Sequence, residues 1–152
     1  VAEAKPSLKL DALFNELEAE ERRERDAARR AALKAAAGQE AERRHFEERP
    51  LTEADRALFL HRIRAAFVDH EREVMLVSFP SAFCRDDGRR INHQLQGWEE
   101  QLPGYARRIY EFWRDDLRLG GFGLQARIIS FENGMPGDVG LFVTWPELRP
   151  EG

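Results

Sequence analysis

Cysteine is the scarcest reactive residue: Cys84 is the only one in 152 residues. With no second thiol the chain forms no internal disulfide, and a structural zinc site built on several thiolates is excluded. Long apolar runs are missing too. None approaches the roughly eighteen residues that a membrane span needs, and the N-terminal stretch Val-Ala-Glu-Ala-Lys-Pro has no signal-peptide character. A reducing, cytoplasmic setting away from membranes is the expectation. Charge of one sign is not in excess either: 24 Lys and Arg stand against 28 Asp and Glu, for a formal net charge of −4. A binder of the phosphate backbone would show a strong positive excess, so nucleic acid is not the expected partner.

Aromatic residues are nearly absent before Pro50, where only Phe14 and Phe46 occur; the other thirteen of fifteen follow it. Residues 1–49 are rich in Glu, Arg and Ala, whereas residues 50–152 carry the material for a core. This seam divides a charged helical arm, 1–49, from a compact α+β domain, 50–152.

The arm supports a helix by its own chemistry. Ser7 is placed to cap it, and Asp11 lies where a carboxylate meets the positive pole of the helix dipole. Leu10, Leu13, Phe14 and Leu17 form one apolar face at three-four spacing, which then runs into Glu20, Glu21 and Glu24. Glu18 with Arg22, Glu21 with Arg25 and Asp26 with Arg30 stand four apart in the favourable order, each contributing about 0.2–0.5 kcal/mol. Gly38 reads as a break, which would make two helices of the arm. A long coiled coil is not expected, because the apolar seam does not persist over several heptads.

After Pro50, Thr52 is an N-cap with Asp55 as its capping-box partner. Phe59, Leu60, Ile63, Ala66 and Phe67 then share one helical sector of about 120°. Val74–Phe79 reads as a first strand ended by Pro80. Pro103 opens a second helix whose Leu102, Tyr105, Ala106, Ile109, Phe112, Trp113 and Leu117 trace a three-four stripe. Gly120 and Gly121 stop it. Leu124–Phe131 is a second strand, and 133–138 is a turn leading to a third, where Val139, Leu141, Val143 and Trp145 alternate onto one face. The predicted fold is a small three-stranded mixed sheet packed by two amphipathic helices. Its first two strands are parallel neighbours and the third completes a hairpin at the edge. Open edges invite dimerisation.

Reactive side chains gather in the segment after the first strand, which holds Cys84, Asp86, Asp87, Arg89, Arg90 and His93; Glu132 and Asp138 flank the later turn. With the first two strands side by side these two segments would converge into a polar site. Cys84 with His93 would then be a nucleophile and its base, the carboxylates would be hard ligands for magnesium or calcium, and the arginines an anion receptor. Each has a simpler structural reading: a lone cysteine beside Phe83 packs, Asp-Asp-Gly is an ordinary turn, and interleaved Arg and Asp pair with each other. The glycine clusters lack the strand-to-helix setting of a phosphate loop. No catalytic residue, metal or cofactor is therefore assigned. The expected function is that of a small non-catalytic adaptor or regulatory protein, contacting a protein partner or a second copy of itself through Leu10, Leu13, Phe14 and Leu17 and through a sheet edge. The alternatives are an enzyme or a metal- or anion-binding domain centred on the 83–93 and 132–138 segments, and a nucleic-acid-binding accessory protein.

Overall fold

The computed structural model describes residues 8–147, so the cap assigned to Ser7 lies outside the described residues. Two compact units divide between Glu42 and Arg43. The first helix, α1 (Leu10–Glu48), is continuous and has no fully buried residue. The break expected at Gly38 does not occur. Gly38 is helical, with open space where a Cβ would stand, and the surrounding alanines and glutamates favour propagation by more than one glycine costs, about 1 kcal/mol.

The second unit begins inside the last turn of α1. Its core is aromatic, and Phe46 belongs to it: the ring lies 5.2 Å from Phe79, 5.8 Å from Phe83 and 5.6 Å from Tyr105, centroid to centroid. Such tilted and edge-to-face contacts each add about 0.5–1.5 kcal/mol beyond the area buried. Helix α2 (Glu53–Val68) starts with the predicted capping box. The Asp55 amide donates to Thr52 Oγ1 at 3.1 Å, and the Thr52 amide donates to Asp55 Oδ2 at 3.2 Å. Its buried stripe is narrower than the sequence sector. Phe59 and Ile63 are buried, but Leu60 and Phe67 are about half exposed, at 48 % and 47 %. The apolar arc of α2 is wider than the surface that β1 offers it.

Strand β1 (Glu73–Pro80) is followed by a 3₁₀ turn at Ser81–Phe83 and a single helical turn, α3 (Arg89–Asn92). A second 3₁₀ turn, Trp98–Gln101, leads to α4 (Gly104–Phe112). Pro103 is its N-cap, one position before the first helical turn. The stripe predicted for this helix is buried as read, apart from half-buried Trp113. Beyond Phe112 the helix widens into a π turn, Trp113–Leu117, and tightens into a 3₁₀ turn before Gly121 ends it at φ 100°. Strands β2 (Gly123–Ile128), β3 (Phe131–Glu132), β4 (Met135–Pro136) and β5 (Asp138–Thr144) form one long hairpin. Asn133 and Gly134 close it, both at positive φ (50° and 78°), the geometry of a tight two-residue hairpin turn.

The sheet order corrects the sequence reading. The strands run β1-β5-β2, and β5 pairs antiparallel with both neighbours, so the sheet is antiparallel and not mixed. β1 and β2 do point the same way, but the last strand is inserted between them. The physical reason lies in β5: Val139, Leu141 and Val143 have no exposed surface, and a strand so apolar is best buried at the centre. β1 and β2 are left as edges. Along β1 the register slips between Met75 and Val77, leaving Leu76 as the extra residue of a β-bulge. Arg62 of α2 donates to the carbonyls of both Met75 and Leu76, the second at 3.2 Å. The inner sheet face, with Leu124, Ala126 and Ile128 beside the β5 valines, packs on α2 and α4. On the outer face a Cβ at Gly140 would crowd Phe142, Met75 and Ile129.

Candidate functional site

The 132–138 turn is tied to Ser81, which follows β1 two residues ahead of the 83–93 segment: the Ser81 amide donates to the Gly137 carbonyl at 2.8 Å and its hydroxyl to the Pro136 carbonyl at 3.0 Å. Two of the side chains there, Cys84 and Asp86, are committed to structure. Cys84 is 4 % exposed, and burial, reinforced by Asp86 and Asp87, pushes its thiol up to about 12, far from the thiolate a nucleophile requires. Asp86 caps α3: Oδ1 accepts from the Gly88 amide and Oδ2 from the Arg90 amide, both at 3.0 Å. Asp87 takes a left-handed turn conformation, φ 57°. His93 is an exposed C-cap of α3, and Arg90 points a guanidinium at the Gln96 carbonyl, 3.4 Å away. Arg89, Glu132 and Asp138 are exposed. Among the described residues no hydrogen bond or ion pair links Cys84, His93, Glu132 and Asp138, and no cluster of three or more His, Cys, Asp or Glu could hold a metal ion.

A better built polar arrangement surrounds the last turn of α1, where sequence reasoning placed nothing. The Glu47 carboxylate accepts from the Gly104 amide at 2.7 Å, closing the N-terminus of α4. In return Arg108 of α4 donates to the Glu47 and Arg49 carbonyls, at 3.0 and 2.9 Å, closing the C-terminus of α1. The backbones approach so closely that a Cβ at Gly104 would collide with the Glu47 carbonyl. Alongside, the Arg49 guanidinium lies 4.1 Å from the centre of the Tyr105 ring and 3.8 Å from Asp55. Desolvation pushes the Asp55 carboxyl up, but the Thr52 amide, the Tyr105 hydroxyl and Arg49 together outweigh it and hold the group below its ordinary range. Tyr105 is pushed up to about 12, by burial first and by its bond to Asp55 second. Each of these groups stabilises a helix end. The only sequence signal was Phe46, an aromatic out of place in a charged arm.

Two of the open surfaces are a sheet edge and the apolar face of α1. Beside the free edge of β2, a shallow groove is lined by Ile91, Trp98, Leu124 and Ala126 with Arg90 and Arg127. Arg127 is held across the sheet by Glu73, at 2.5 and 3.0 Å, and lies over the Phe142 ring at 4.3 Å. On α1, Leu10, Leu13, Phe14 and Leu17 are 64, 40, 53 and 53 % exposed. No helix among the described residues is long and apolar enough to cross a membrane. Comparison of the chain with family models, with curated proteins and with solved structures finds no match.

Proposed function

We propose that the chain is a non-catalytic adaptor that works by protein–protein contact, with the Leu10, Leu13, Phe14 and Leu17 face of α1 as its principal contact and the edge of β2 as a secondary one. The observation that carries this reading is the exposure of that face: four large apolar side chains, each 40 % exposed or more, on a helix with no fully buried residue. Adjacent exposed apolar groups at helical spacing are the anchors of helix-mediated recognition. A reducing compartment such as the cytoplasm suits a chain whose one cysteine is free and buried. The catalytic alternative is weakened by the protonated thiol of Cys84 and by the capping role of Asp86.

A photo-crosslinking residue placed at Leu17, compared with one at Arg30 on the opposite side of α1, tests the proposal in cells that express the full chain. Crosslinks to protein should form from position 17 and be several-fold weaker from position 30. Equal yields at the two positions, or none at either, would exclude this face as the contact.

A further inference from the structure

Resting on the reading that this face is a contact surface, we propose that its partner is α1 of a second copy of the chain, packed antiparallel. At 100° per residue the face of Leu10, Leu13, Phe14 and Leu17 continues into Ala28, Ala31, Ala32 and Ala35. An antiparallel alignment that sets Leu17 opposite Ala28 also sets Phe14 opposite Ala31, Leu13 opposite Ala32 and Leu10 opposite Ala35. Large side chains then meet small ones at every level, and two-fold symmetry makes each contact twice. All eight of these positions are exposed. Large-against-small pairing lets two helices approach closely and interdigitate.

Charge selects the same alignment independently. Between Leu10 and Glu21 the helix carries Asp11, Glu16, Glu18, Glu20 and Glu21 and no basic residue. Between Arg22 and Lys34 it carries Arg22, Arg23, Arg25, Arg29, Arg30 and Lys34 against only Glu24 and Asp26. Antiparallel packing lays the acidic stretch of each copy over the basic stretch of the other. Parallel packing in register would lay like on like. Glu21 and Glu24 interrupt the face at its midpoint and meet across the symmetry axis, so the dimer is weak and reversible.

Sedimentation equilibrium of the full chain over about 1–200 µM, a range set to bracket micromolar affinity, should show a monomer–dimer equilibrium that weakens as salt rises. Leu17→Glu should weaken it about tenfold or more with helix content retained by circular dichroism, and Glu24→Ala should tighten it several-fold. Orientation is read from thiol crosslinking, with buried Cys84 as the silent background. A mixture of Leu17→Cys and Ala28→Cys chains should crosslink faster than either alone. A chain that stays monomeric, preferential crosslinking of Leu17→Cys to itself, or no tightening by Glu24→Ala would overturn the antiparallel dimer. If position 17 still crosslinks to another protein in that event, the adaptor reading survives; if it does not, both fail.

Discussion

Where the folded domain begins is decided by Phe46 and Glu47, and two shortened chains test it. A chain starting at Arg43 keeps both residues; a chain starting at Pro50 loses them and also Arg49. Removing a core phenylalanine side chain costs about 3–5 kcal/mol, and the half-buried Phe46 with its three ring neighbours warrants about 2–3. Loss of the Glu47 carboxylate uncaps α4 and adds about 1 kcal/mol. Small domains are stable by only about 5–15 kcal/mol, so the combined loss of roughly 3–4 is a large fraction. At about 4–8 °C per kcal/mol for a domain of this size, the chain starting at Pro50 should melt roughly 15–25 °C below the chain starting at Arg43. Phe46→Ala in the full chain should account for most of that difference. Thermal unfolding followed by near-UV circular dichroism, which reports the packing of the aromatic core, is the assay. If the two shortened chains melt within about 3 °C of each other, less than 1 kcal/mol on the same scale, the last turn of α1 is dispensable and the boundary returns to Pro50.

Gly104→Ala should destabilise by about 2 kcal/mol or more, because the added methyl meets the Glu47 backbone carbonyl and not a flexible side-chain end; urea unfolding measures it. Gly38→Ala has the opposite sign: in an exposed helix interior with open space around it, it should raise helix stability by about 0.5–1 kcal/mol, seen as slower amide exchange between Ala31 and Ala41. Thr52→Ala removes the capping box and should cost about 1 kcal/mol. Alkaline pH should destabilise the domain. The folded Cys84 and Tyr105 both rise, from 9.0 and 10.0 to about 12, so below pH 9 their contribution is complete. As pH rises from about 9 towards 12 the unfolded chain releases protons that the folded chain retains, and stability falls by about 1.4 kcal/mol per pH unit for a fully protected group. Replacing Cys84 by Ala should flatten the early part of that fall; an unchanged slope between pH 9 and 10 would refute the assignment.

Local features were legible where local chemistry decides them. Thr52 and Asp55 form their capping box from neighbours three residues apart, and the α4 stripe from Tyr105 to Leu117 is buried because periodicity matches the face that meets the core. The overall α+β composition, with a long N-terminal helix, followed from the same signals. What was not legible depends on pairing at a distance. Nothing within Leu124–Ile128 or Asp138–Thr144 says that the second of these strands must also pair with β1, and only the complete burial of Val139, Leu141 and Val143 reveals it. The Leu76 bulge and its cover by Arg62 likewise depend on α2 lying across β1. Phe46 looked like part of a charged arm because composition averages over its neighbours, and its role appears only when three rings from other elements surround it.

The insertion of β5 also bears on function. A crevice between parallel neighbours, of the kind that binds ligands at the strand ends of open α/β sheets, requires adjacent C-terminal ends. Here the ends of β1 and β2 are separated by the start of β5, and the space is closed by Ser81 bonding back to Pro136 and Gly137. Of the polar side chains that the sequence offered for chemistry, Asp86 caps α3 and Cys84 is buried in the core, while Arg89, Glu132 and Asp138 stay exposed. Exposed apolar groups lie elsewhere, among them Leu10, Leu13, Phe14 and Leu17 on α1 and Leu60 and Phe67 on α2. The alanine-rich composition of α1 favours the helical state, and Arg108 closes its C-terminal carbonyls, so Phe14 and Leu17 stay on a formed helix and exposed.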